Sequence, residues 1–149
     1  TAALLGAMGA TAASAQVQFR GGGFVSNFVG CEQYGWFNQS VTIRARYSPA
    51  ELSPENTTNV SLYLHNGAEN YSRQGPLDFT FQSLQGNYIW TGAGRTSPRP
   101  RIRVMSQSPE VITEDTRDIQ MRLRIRNFAV LPGCQADVGL VMTRFPVLP

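Results

Sequence analysis

Ile119-Gln120-Met121-Arg122-Leu123-Arg124-Ile125-Arg126 alternates apolar and polar side chains without a break. An extended chain turns successive side chains to opposite faces, so this is the pattern of a strand with one face in a core and one in water. The same period of two recurs along the chain. Val41, Ile43, Ala45 and Tyr47 alternate with Thr42, Arg44 and Arg46, and Val60, Leu62 and Leu64 with Ser61, Tyr63 and His65. Val138, Leu140 and Met142 repeat it near the end. Weaker strand signals lie at 16–20, 24–29, 77–84, 87–91 and 101–105, with Gly, Pro, Asn and Ser between them. Helix is scarce. Ser48-Pro49-Ala50-Glu51 forms a capping box with Pro at the first helical position, but Pro54 limits it to about one turn.

These signals predict an all-β fold: a single antiparallel β-sandwich of about 8–9 strands, jelly-roll or immunoglobulin-like in the broad sense, with a β-barrel as the alternative. The spacing of true immunoglobulin domains is absent, because Trp36 follows Cys31 closely and Cys134 lies near the other end of the chain. With 149 residues, 42% of them hydrophobic and 15% charged, the chain can bury a core.

Residues 1–15, TAALLGAMGATAASA, carry no charge and end in Ala13-Ser14-Ala15, the small-residue pattern of a signal-peptidase site. They read as the remnant of a secretory signal, with 16–149 as the mature domain; a retained Ala-rich helix is the alternative. The two cysteines, Cys31 and Cys134, then meet an oxidising compartment and are expected to form a disulfide. Lipidation at Cys31 fits less well, since Arg20 and Gly21-Gly22-Gly23 interrupt any apolar run before it. All thirteen basic residues are arginine. That bias points to a GC-rich, bacterial genome and hence to the periplasm or the exterior. Asn38, Asn56, Asn59 and Asn70 begin glycosylation sequons, which matter only in a eukaryotic source.

Several chemistries are disfavoured. Without lysine there is no Schiff base, and oxidised cysteines provide no thiolate. His65 is the only histidine, beside the turn-forming Asn66-Gly67, so no multi-histidine metal site is available. No Gly-x-Ser-x-Gly elbow occurs. Residues 91–96 resemble a phosphate loop but lack its lysine and helix, and read as a flexible turn. Glu110, Glu114, Asp115 and Asp118 match no calcium-loop spacing. Neither cofactor nor metal is expected.

Binding surfaces stand out more. Arg44, Arg46, Arg101, Arg103, Arg122, Arg124 and Arg126 all fall on the polar sides of their strands. If those strands are neighbours, the guanidinium groups share a sheet face and need an offset such as Asp78 or a bound polyanion. Trp36, with Trp90 and Tyr88 on one face of their strand, is either core or a platform for sugar rings. Val17-Gln18-Phe19 before the Gly21-Gly22-Gly23 hinge offers a strand that could pair with another molecule and build a homo-oligomer through the terminal strands, with docking of both ends within the molecule as the default. The net charge of +3 permits an anionic glycan or envelope protein as partner, with no call for nucleic acid. The function expected is a non-enzymatic exported binding or assembly module of the bacterial envelope or exterior. A carbohydrate-binding module is the alternative, and a small secreted hydrolase the third reading.

Overall fold

The computed structural model describes residues 17–37, 39–90 and 93–146. The expected signal remnant, 1–15, lies outside these residues. Among the described residues ten strands form: β1 (Gln18–Val29), β2 (Val41–Ser48), β3 (Thr57–Leu64), β4 (Gly67–Gln74), β5 (Gln82–Ser83), β6 (Gln85–Trp90), β7 (Ala93–Arg95), β8 (Arg101–Ser108), β9 (Asp118–Arg126) and β10 (Gln135–Phe145). All pairings are antiparallel, in the order β5-β8-β9-β10-β1-β2-β3-β4-β6-β7. The helical content of the described residues is three short 3-10 turns, including Ala50–Leu52 after Pro49, where no side chain caps the turn.

One sheet therefore carries the whole fold, and it curls into a half-barrel. The chain path requires the curl. β5 pairs with β8 on one flank and β6 with β4 on the other, yet only Leu84 separates β5 from β6. The two flanks must therefore approach one another. The core fills the concave side with Ile43, Ala45 and Tyr47 of β2, Val60 and Leu62 of β3, Ile102 and Val104 of β8, the apolar residues of β9, and Val138, Leu140 and Met142 of β10. The alternation assigned these residues inward, and each is almost fully buried.

β1 docks within the molecule, as the default reading had it, and corrects the hinged-strand idea. It is one continuous strand through Gly21-Gly22-Gly23, bonded to β10 on one side and β2 on the other. It sits mid-sheet with both edges paired and is not a free donor strand on a hinge. The glycines serve the curl instead: a Cβ at Gly23 would overlap the carbonyl oxygen of Gly139, and one at Gly21 that of Val141. At the end of β1 the register shifts around Asn27, whose φ of 54° marks a bulge and turns Phe28 into the core.

Other weak strand signals shift too. Of 77–84 only Gln82–Ser83 pairs, and residues 93–95 of the supposed flexible turn form β7 against β6. β4 gave no apolar alternation, because Glu69 occupies an inward position between Gly67 and Tyr71. It closes a tight hairpin with β3 across His65 and Asn66. Cys31 and Cys134 are bonded, just beyond the ends of β1 and β10. Phe28, Trp36 and Phe128 pack together beside the bridge, with Phe28 stacked on Trp36 at 5.2 Å between ring centroids.

Candidate functional site: an arginine face and an aromatic cleft

Strand register decides which arginines meet. On the convex face Arg101 lies directly opposite Arg126 and Arg103 opposite Arg124, with Arg122 next along β9. Arg44 and Arg46 lie on the same face but on β2, separated from β9 by β10 and β1; the residue opposite Arg46 is Arg20. The seven arginines thus divide into a group of five and a separate pair.

Like charges opposed across a ladder destabilise it by a few tenths to about 1 kcal/mol per pair. The offset is Asp137, not Asp78. Asp137 stands on β10 opposite Arg124 and is only 3% exposed. The Arg124 fork donates from Nε to Oδ1 at 2.8 Å and from Nη2 to Oδ2 at 3.1 Å, and Asn27 Nδ2 donates to Oδ2 at 2.8 Å. Burial pushes the carboxyl upward, but these bonds and the charges of Arg124 and Arg122 outweigh it and hold Asp137 below the usual carboxylate range. Asp78 is occupied within its own loop, accepting from Thr80 and Gln82. Phe81 adds a second offset: the Arg126 guanidinium lies 3.8 Å from its ring centroid and that of Arg103 5.4 Å.

Among the described residues Asp137 is the one carboxylate ion-paired with these five arginines, while Asp118, at the far end of the same face of β9, accepts from Thr143; the face keeps a net positive charge. Arg101 and Arg122 have no hydrogen-bond or ion-pair partner among the described residues, and the Nε of Arg103 is buried without one. Asp137 and Phe81 were not singled out in the sequence. Asp137 occupies a polar position in the alternating run of β10, so its face was legible, but its partner was not.

The second arrangement lies on the concave side. Tyr88 and Trp90 point inward from β6, opposite the exposed Ile89, and their rings lie 5.2 Å apart. Arg95 of β7 stands across from Tyr88, its guanidinium 4.6 Å from the Trp90 ring centroid and 5.0 Å from that of Tyr88. The loop after Cys31 brings Trp36 to the same place, and Trp36, Tyr88, Trp90 and Arg95 line one cleft of about 390 Å³. Both tryptophans are half-buried, so each packs against the core and also borders the cleft.

Behind this cleft sits a buried acid. Glu69 is fully buried, opposite Leu62 on β3 and Tyr88 on β6. Tyr71 donates to its Oε1 at 2.6 Å, while Oε2 has no partner among the described residues. Burial raises its pKa to about 8 against the smaller downward pull of Tyr71, the Ala129 amide and Arg95, so Glu69 is mostly neutral at pH 7. Ala129 belongs to a buried turn, Phe128–Val130, whose positive φ at Ala129 and Val130 is unusual for residues with a Cβ. That backbone turns its polar groups toward the cluster. The Ala129 N–H donates to Tyr71 Oη at 3.4 Å, and its carbonyl accepts from Arg95 Nη2 at 3.3 Å. Arg95 and Glu69 escaped the sequence reading, since a lone Arg after Gly94 and an acid in an unpatterned segment carry no local signal.

His65 is exposed in the β3–β4 turn, and among the described residues no three His, Cys, Asp or Glu side chains are grouped to hold a metal ion. No helix among them is long and apolar enough to cross a membrane. Comparison with protein-family models, with curated proteins and with solved structures yields no match for this chain.

Proposed function

We propose that the protein is an exported, non-enzymatic binding module of the bacterial envelope or exterior that holds an anionic glycan on the arginine face of β8 and β9. The observation that carries this reading is the double opposition of Arg101 with Arg126 and Arg103 with Arg124, with one ion-paired carboxylate, Asp137, among the described residues to offset it. A polyanion lying across the strands relieves that repulsion. Neighbouring strands are about 5 Å apart and same-face residues along one strand about 7 Å, so the guanidinium groups form a grid suited to repeated sulfates or carboxylates. The disulfide accords with an oxidising compartment.

The test uses Arg101→Ala/Arg122→Ala, because neither side chain makes a hydrogen bond or ion pair among the described residues and their loss leaves Asp137 paired with Arg124. On immobilised heparin the wild type is expected to bind at low salt and to elute as salt rises. The double variant is expected to bind about tenfold or more weakly, since each charge-assisted contact contributes on the order of 1 kcal/mol. Equal retention of the two proteins removes the proposal. Retention on anionic vesicles but not on heparin reassigns the face to a lipid surface.

A further inference from the structure

From the convergence of Trp36, Tyr88, Trp90 and Arg95 we infer that the concave cleft is a second binding site, which takes a sugar carrying a carboxylate. It does not rest on the arginine face: the cleft is built by the loop after Cys31, by β6 and by β7, none of which contributes to the paired arginines of β8 and β9.

Each part of such a ligand has a counterpart. Trp36 and Trp90 are half-buried and line the cleft, so part of each indole borders the space that a pyranose would fill. Gln39 and Asn66, also on the lining, present amide groups suited to hydroxyls. Arg95 provides the charge. Its only hydrogen bond among the described residues runs from Nη2 to the Ala129 carbonyl, and its Nε is buried without a partner. Its guanidinium is held 4.6 Å from the Trp90 ring centroid and 5.0 Å from that of Tyr88, and such a positioned guanidinium suits fork-like recognition of a carboxylate. The nearest acid does not neutralise it at pH 7, because Glu69 is kept largely protonated by burial. The groups facing Glu69 are Tyr71 on its own strand, Tyr88 on β6, Arg95 on β7 and the Ala129 amide, while β3 presents the uncharged Leu62. The cleft therefore contains one free positive charge beside aromatic rings, a combination suited to an acidic sugar more than to a neutral one.

The chain has two tryptophans, Trp36 and Trp90, and both line this cleft. Intrinsic tryptophan fluorescence therefore reports the cleft, while the drop in heparin retention caused by Arg101→Ala/Arg122→Ala, which leaves the cleft intact, reports the arginine face, so the two proposals fail separately. Trigalacturonate is expected to change the fluorescence saturably in the intact protein, and maltotriose to leave it unchanged. Arg95→Gln is expected to bind trigalacturonate about tenfold or more weakly while keeping its near-UV circular dichroism. If Arg95→Gln does not fold, the wild-type titration is repeated at rising salt, where affinity must fall. No response to millimolar trigalacturonate overturns the inference. So does an equal response to maltotriose or to an acidic peptide, an unchanged affinity in folded Arg95→Gln, or an affinity indifferent to salt.

Discussion

Glu69→Gln is expected to stabilise the protein by several kcal/mol at pH 9 and to change its stability little near pH 4.5. The carboxyl is fully buried and its pKa rises from 4.5 to about 8 on folding, with burial the largest cause. A group whose folded pKa is raised binds its proton more tightly in the native state. Its stabilising influence is complete below the unfolded pKa of 4.5 and is lost as pH climbs through the folded pKa near 8. Across that window the native state loses about 1.4 kcal/mol per pH unit relative to the unfolded chain, or about 3–5 kcal/mol in all. Gln keeps the shape of the neutral acid and its acceptor for Tyr71, and it has no proton to lose. Urea unfolding of wild type and variant from pH 4.5 to pH 9 checks this. The stability difference must grow up to about pH 8 and then level; a constant difference rules out a buried, titrating Glu69.

Removal of the bridge is the second large effect. Cys31 and Cys134 are 103 positions apart, and a cross-link closing about 100 residues lowers the entropy of the unfolded chain enough to stabilise the fold by about 4–5 kcal/mol. Domains of this size are stable by about 5–15 kcal/mol, so Cys31→Ala/Cys134→Ala is expected to lose a large part of that margin. The bridge also anchors the ends of the central β1–β10 pair, where Val29 is the partner of Gln135, and the loop that carries Trp36 into the cleft. The double variant is therefore expected to unfold at a much lower urea midpoint, with a tryptophan spectrum altered before global unfolding. Identical midpoints for oxidised and reduced wild type would sink this account.

Legibility in the sequence followed the alternation closely. β2, β3, β9 and β10 were readable because each exposes one face and buries the other, and their inward residues were assigned correctly. β4 was not, because Glu69 takes a core position and breaks the pattern. The triple glycine in β1 was misread for a related reason. Glycine signals conformational freedom locally, whereas Gly21 and Gly23 are needed here because the backbone of β10 approaches too closely for a side chain. At the arginine face the residue types and the face were legible, but the division into five and two was not. In the cleft Trp36, Tyr88 and Trp90 were visible as candidates, while Arg95 and Glu69 were not.

The sequence by itself determined what depends on neighbours along the chain: strand content, the inward and outward set of each strand, and a cysteine pair suited to a bridge. A period of two is a property of any extended chain, whatever strand lies beside it. Only the tertiary structure decided what depends on strand order and register. It set Arg103 against Arg124 and gave Arg124 the carboxylate of Asp137, from a strand whose partner no local pattern names. It also brought Trp36 and Arg95, from opposite halves of the described chain, to one cleft. Such pairings are fixed by which faces a curled sheet can bury together, and that choice is made by the whole chain at once.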